Sequence, residues 1–388
     1  MSTYRALSRG VFTRRDFLRI SAAGAVTVAV GGALSRSVLA QPAPAASPLV
    51  GCTPGGPLNL FTWQGYEGMG VPSMEAFYAD NDIQLNMTPI GNENLLVVMK
   101  SPGGENWDAF SVNQGDNGYY YSQGVLSPIH VDEVPNLAKM YPQVADNPIW
   151  KVGDGLYNAI PWTFGPIGIN WLKSRIPDGI DAYAAALDPA YRVGTYDSSL
   201  NMVSTAACAV GLDPGALTRE QLNGPVKEWL MAVRPQLKVI STSLGDQLTV
   251  LLSEEVDFQL VGLLWFIPQG AAQGAEVGFS IPDEGSYGFC DSLAITPWAP
   301  NRCNALALAN AYMDPATVGP LQGSLFQIGP TPEINEALPP DVRSLYPEDI
   351  ATGFFDKLKW NISYNDPEGP YATIEEWDAV WNEVKLAG

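Results

Sequence analysis

Leu58-Asn59-Leu60-Phe61-Thr62-Trp63 alternates apolar and polar side chains and reads as a strand. The segments after this strand set the fold class. Val71 to Asn81 carries Met74, Phe77 and Tyr78 at helical spacing, and Ile83 to Pro89 reads as a second strand. Leu95 to Lys100 reads as a helix stopped by Ser101-Pro102-Gly103-Gly104. Trp107 to Val112 is a third strand, ahead of the turn-rich Asn113 to Gly118. Strands alternating with helices predict an α/β unit with a largely parallel sheet.

Farther along, Asn158-Ala159-Ile160-Pro161-Trp162-Thr163-Phe164-Gly165-Pro166-Ile167-Gly168-Ile169-Asn170 is broken by Pro and Gly yet rich in strand formers, which predicts an extended crossing. A second α/β region comes next. Strands are expected at Arg192 to Tyr196, Leu237 to Ser241, Phe258 to Phe266, Val277 to Pro282 and Asp291 to Thr296. Helices are expected at Leu200 to Val210, Thr218 to Val233, Gln247 to Glu254, Asn304 to Met313 and Ile374 to Leu386. In the last helix Trp377 and Trp381 stand four apart on one face, the spacing of a packing stripe.

The N-terminus has its own logic. Thr13-Arg14-Arg15-Asp16-Phe17-Leu18-Arg19 precedes a weak apolar run, Ile20 to Leu34, and Val38-Leu39-Ala40 offers a cleavage site before Gln41. Paired arginines, a Gly/Ala-rich run and a small-residue site form a twin-arginine export signal. The run is too short to span a bilayer, which takes about 20 apolar residues. Removal of residues 1–40 leaves 348 residues, room for two ordinary domains. It also leaves 15 basic against 40 acidic residues, a net charge of −25. Such a surface repels nucleic acid and anionic lipid and attracts cations. Gln41 to Pro48 reads as an extended Pro/Ala linker.

Export exposes Cys52, Cys208, Cys290 and Cys303 to an oxidising compartment, where four cysteines allow three pairings. Cys290–Cys303 is the first pair to test. Leu49-Val50-Gly51-Cys52 also has the look of a lipoprotein box, but Arg36 and the Pro/Ala spacer separate it from the apolar run that such a box should abut.

Much chemistry is absent. His130 is the only histidine and lies in no nucleophile-elbow context. There is no HExxH, no CxxC, no GxxxxGK[ST] and no GxGxxG opening a helix. No cofactor or metal centre is expected. The chain does offer a set of aromatic residues beside chain reversals: Trp63 and Tyr66, Trp162 and Phe164, Trp265 and Phe266, and Tyr287 and Phe289 ahead of Asp291. Rings plus a carboxylate make a site for an ammonium group, through cation–π attraction and a charge-assisted hydrogen bond. Their place at predicted strand ends is where open α/β sheets bind ligands.

Four blocks carry a resemblance. Phe61-Thr62-Trp63-Gln64-Gly65-Tyr66 resembles the first-strand signature of the periplasmic spermidine/putrescine-binding proteins of ABC importers. Ile160-Pro161-Trp162-Thr163-Phe164-Gly165, with Asn170, is similar to their first inter-lobe crossing. Pro282-Asp283-Glu284-Gly285 and Phe289-Cys290-Asp291-Ser292-Leu293-Ala294-Ile295 resemble the second, the most specific block, and Gly329-Pro330-Thr331-Pro332 the third. The resemblance implies an α/β, two-lobe periplasmic-binding-protein fold, hinged by extended crossover segments. It places residues 57–162 plus 292–330 in one lobe and 168–288 plus 334–388 in the other, after a signal peptide (1–40) and a linker (41–56).

By motif, Trp63 and Tyr66 match cleft aromatics and Asp291 an amine-binding carboxylate. Phe289 stands where the family usually has Trp, Trp265 near another cleft Trp, and Asn113 at a polar cleft position. The family carries two further acidic ligands at a helix start after Thr195-Tyr196-Asp197. Here Ser198 and Asn201 stand at the matching places, with Asp197 adjacent. One carboxylate suits one ammonium, because an unpaired buried charge is costly. A second or third ammonium would need Asp197, Glu67, Asp116 or another acid to turn inward. The expected protein is therefore a monomeric, extracytoplasmic solute-binding protein that performs no catalysis. It delivers a cationic amine, a polyamine such as putrescine or spermidine, to an ABC permease in the membrane, and it does not bind nucleic acid. The rival readings are a twin-arginine-exported enzyme and a binder of an amino-group-bearing zwitterion such as 4-aminobutyrate.

Overall fold

The computed structural model of the chain describes residues 51–387 except 64, 91–94, 357, 363 and 365. The export signal and residues 41–50 of the linker lie outside the described residues.

Among the described residues eleven strands build two large sheets, and Ile129–His130, Leu156–Tyr157 and Lys151–Gly153 form a small third one. In chain order the eleven are β1 (Gly56–Thr62), β2 (Ile83–Pro89), β3 (Ala109–Asn113), β4 (Ile160–Pro166), β5 (Gly168–Leu172), β6 (Val193–Tyr196), β7 (Leu237–Ser241), β8 (Phe258–Gly262), β9 (Val277–Ser280), β10 (Tyr287–Ile295) and β11 (Lys359–Trp360). The first sheet runs β11-β10-β3-β1-β2, with β4 paired to β10; the second runs β7-β6-β8-β5-β9. The alternation read from Leu58 onward sets the faces of β1. Leu58 and Leu60 enter a core with Ile160, Trp162 and Leu293, while Phe61 enters a smaller cluster with Leu95, Met99 and Phe110.

Each sheet is mixed, which corrects the expectation of a largely parallel one. β1 is parallel to β2 and β3, but β10 is antiparallel to both β3 and β4. In the second sheet β5 is antiparallel to β8 and β9. The reason is topological: a strand arriving from the other lobe enters its sheet from the opposite end.

The crossings lie between β4 and β5, between β9 and β10, and around β11. Ile167 N–H donates to Tyr287 O (3.0 Å) and Lys359 N–H to Ser286 O (3.2 Å), so the three segments are laced together. The third was expected at Gly329–Pro332 and stands elsewhere. Ile334, Leu338, Val342, Tyr346, Ile350, Phe354 and Leu358 all pack in the first core, whereas Ala372, Trp377 and Trp381 pack in the second. The chain thus changes lobe after Leu358, and 334–358 packs with the first lobe. Pro332 instead opens a helix (Pro332–Glu336) capped by Thr331.

Two predicted elements are interrupted. The helix expected over Thr218 to Val233 is broken at Gly224, whose backbone is non-helical, beside Pro225. Proline has no N–H to donate and its ring collides with the preceding turn. The strand expected over Phe258 to Phe266 stops at Gly262. Val261 takes a left-handed φ of +58°, the Leu263 N–H turns to Asn170 Oδ1 (2.6 Å), and Phe266–Ala272 is a helix.

The disulfide also differs from expectation. Cys52 bonds Cys303, while Cys208 and Cys290 are buried free thiols. Asn304 explains the pairing: its Oδ1 accepts from Gly55 N–H (2.8 Å) and its Nδ2 donates to Pro57 O (2.7 Å). That clasp holds the start of β1 against helix Arg302–Ala311 and brings the two sulfurs together. Cys290 is locked inside β10 instead.

Candidate functional site

Asp291 lies in mid-β10, paired across the sheet with Asn113 of β3 on one side and Thr163 of β4 on the other. It is 7% exposed. Tyr66 Oη donates to its Oδ2 (2.7 Å) and Asn113 Nδ2 donates to its Oδ1 (3.3 Å). Tyr66 Oη in turn accepts from Gln327 Nε2 (3.2 Å), and the Gln327 carbonyl is contacted by Thr163 Oγ1. Every hydrogen-bonding group around the carboxylate is therefore neutral. No Lys, Arg or His among the described residues is paired with it.

Burial pushes the Asp291 carboxyl up to about 6, against the pull of the bonds from Tyr66 and Asn113. Burial also raises Tyr66 well above the ordinary phenol range, and the Asp291 charge raises it further. Tyr66 thus keeps its proton and remains a donor.

A turn after β1 places Tyr66. Its N–H donates to Trp63 O (3.1 Å), and Tyr312 Oη donates to Tyr66 O (2.9 Å). Gly65 and Gly68 have φ of +97° and +73°, and a Cβ on Gly68 would meet Met74 at 2.5 Å. The ring stands edge-on to Trp63 (5.7 Å) and to Trp162 (5.0 Å), and Trp162 stacks on Tyr312 (4.2 Å). Tyr66 is half-buried, packed against the first core, and its hydroxyl points to Asp291.

Trp63 also lines a cavity of about 810 Å³ between the lobes. Asp116 and Tyr119 contribute from the first lobe, and Asp197, Trp381 and Lys385 from the second. Asp197 was expected to offer its charge to a ligand. It is already paired: Lys385 Nζ (2.9 Å) and Trp381 Nε1 (2.8 Å) both donate to Oδ1. Burial alone would raise this carboxyl, but those two bonds outweigh it and hold it below its ordinary range.

The remaining expected residues are scattered. Trp265 and Phe289 line one small void together with Gln327, the partner of Tyr66. Trp265 caps a helix and does not end a strand, so it faces Phe266 edge-on (4.6 Å). Asn201 turns away from the cavity. Its Oδ1 accepts from Tyr287 Oη (3.0 Å) and its Nδ2 donates to Ser198 Oγ (3.0 Å), spending the amide inside the second lobe. His130 is exposed and caps a short 3-10 turn through Nδ1. Gln327 and Lys385 were missed, having no sequence signal; Trp381 was assigned to packing by its spacing.

Two mixed sheets, three lacing crossings and a cavity walled from both sides define a two-lobe periplasmic-binding-protein fold. No protein-family model matches the chain. The putrescine-binding periplasmic protein PotF of Escherichia coli K12 is 19% identical over 345 residues, covering 83% of this chain and 90% of that one. The putrescine-binding periplasmic protein SpuD of Pseudomonas aeruginosa UCBPP-PA14 is 22% identical over 352 residues, covering 84% and 91%. The solved structure of the spermidine/putrescine ABC transporter substrate-binding protein PotD of Streptococcus pneumoniae superposes with a TM-score of 0.69 at 13% identity, covering 86% of this chain and 99% of that one. The chain is thus similar in sequence to putrescine-binding periplasmic proteins and has the two-lobe fold of periplasmic binding proteins. These relatives are binding proteins rather than enzymes.

Proposed function

We propose that this chain, exported by its twin-arginine signal, captures a small cationic amine in the inter-lobe cleft and delivers it to an ABC permease. The observation that carries the reading is Asp291, a buried carboxylate held only by neutral donors. A charge moved from water is costly until an opposite charge meets it. An ammonium ligand supplies that charge, and Trp63 and Tyr66 supply ring faces beside it. Asn113 orients the carboxylate, Trp265 and Phe289 wall the neighbouring void, and Asn201 plays a structural part. The curated relatives are named for putrescine, which makes putrescine and spermidine the first ligands to try.

The test is a thermal-shift screen with putrescine, spermidine, agmatine, 4-aminobutyrate and simple anions. A ligand present at about 1,000 times its Kd stabilises the native state by about 4 kcal/mol. A shift with an amine and none with the anions is the expected result; shifts with anions alone would end the proposal.

A further inference from the structure

Lys385 Nζ lies 2.9 Å from Asp197 Oδ1 and 5.8 Å from the centre of the Trp381 ring, on the second-lobe wall of the cavity. A carboxylate beside an aromatic face is the chemistry that captures an ammonium ion. The protein's own lysine occupies that place. Resting on the amine reading above, we propose that Lys385 fills the cleft's second cation position, so that the ligand carries a single ammonium group, set on Asp291, and is a monoamine rather than a diamine.

The two carboxylates differ in what balances them. Asp291 is 7% exposed and has only neutral partners. Asp197 is one-third exposed and already ion-paired. Lys385 is tethered one helical turn beyond Trp381 in helix Ile374–Leu386, so it competes for Asp197 at the high effective concentration of a linked group. A ligand ammonium that displaced it would gain one ion pair and break another. The other acids do not replace Asp197. Glu375 and Asp378 stand exposed at the mouth, where water and salt screen them. They raise the local concentration of cations without a desolvated contact. Asp116, on the first-lobe wall, is half-buried and is the alternative second carboxylate.

The test counts charges with two ligands of one carbon chain, butylamine and 1,4-diaminobutane, by calorimetry at pH 7. In the native protein the two should bind within about threefold of each other, less than the tenfold that 1.4 kcal/mol represents. In Lys385→Met, which keeps the aliphatic stem, the diamine should gain about tenfold or more over the monoamine. Adding Asp197→Asn should abolish that gain. A native protein that binds the diamine about tenfold tighter overturns the proposal and assigns the second charge to Asp116 or the rim acids. An unchanged ratio in Lys385→Met overturns it as well. If that variant does not fold, the native ratio alone decides. Failure of the amine reading is a separate outcome, in which neither amine binds or Asp291→Asn leaves both affinities unaltered.

Discussion

The Tyr66 hydroxyl donates to Asp291 across 2.7 Å, joining residues 225 apart in sequence. The bond fixes the carboxylate from the side where β1 ends, while Asn113 holds it from the neighbouring strand. Tyr66→Phe removes the shorter of the two. A hydrogen bond to a charged group is worth about 1.5–3 kcal/mol. Amine affinity at pH 7 should fall about tenfold, through a carboxyl that ionises less readily and a ring wall that has lost its anchor. Calorimetry at pH 7 and pH 8 checks this, and the deficit should shrink at the higher pH.

Asp291→Asn should weaken amine binding by at least about tenfold, because the ammonium then meets no charge. Equal affinity in the two proteins would take Asp291 out of the site.

The same residue makes unliganded stability depend on pH. Its carboxyl in the folded protein stands near 6, above its ordinary 3.8. A raised carboxyl stabilises the fold while protonated; that contribution is complete below about 3.8 and disappears as pH rises through 6. Across that window the shift amounts to about 3 kcal/mol. Tyr66 and Cys290, the titratable groups in contact with it, stay protonated there, since burial raises both. Without ligand, Asp291→Asn should therefore be more stable than the native protein at pH 7 and lose the advantage near pH 4. Amine affinity should run the other way, falling below pH 6. Denaturant titrations across pH, with and without amine, measure both slopes.

Gln114 clamps the strand that bears Asp291. Its N–H donates to Cys290 O (2.9 Å) and its Oε1 accepts from Cys290 N–H (2.7 Å). Its Nε2 reaches Asn361 on the third crossing, and Asn361 Nδ2 reaches Ser204 in the second lobe (3.2 Å). All of these residues are buried. Gln114→Ala leaves one buried group in β10 and one on the third crossing without these partners and should cost about 2–3 kcal/mol in a denaturation curve.

Thiol counting checks the disulfide. Native protein should give no reactive thiol, unfolded protein two, and unfolded reduced protein four, since only Cys208 and Cys290 are free. Opening a crosslink that spans 251 residues should lower stability by up to about 5 kcal/mol on the chain-entropy account. A Cys290–Cys303 peptide in an unreduced digest would contradict the pairing.

Local elements were legible because their signals are local. Ile83–Pro89, Leu95–Lys100, Leu237–Ser241 and Ile374–Leu386 stand at the boundaries that periodicity assigns. Where periodicity failed, a distant residue intervened. Asn170 takes the N–H that ends β8 early, 93 residues away. The third crossing was misplaced because a Pro-Thr-Pro turn looks alike whether it changes lobe or opens a helix. Among the site residues, Tyr66 stands in a turn after β1 as expected, whereas Asp291, expected beside a reversal, sits in mid-β10. Gln327 carried no such mark, since a glutamine before an apolar turn is ordinary.

By itself the sequence determined the α/β alternation, the acidic charge balance, the single histidine and the supply of rings and carboxylates. Only the tertiary structure decided which carboxylate is balanced. Asp197 and Lys385 stand 188 residues apart, and their 2.9 Å contact depends on how the C-terminal helix docks. Charge balance depends on distance and burial in space, and neither is encoded in the spacing of residues along a chain.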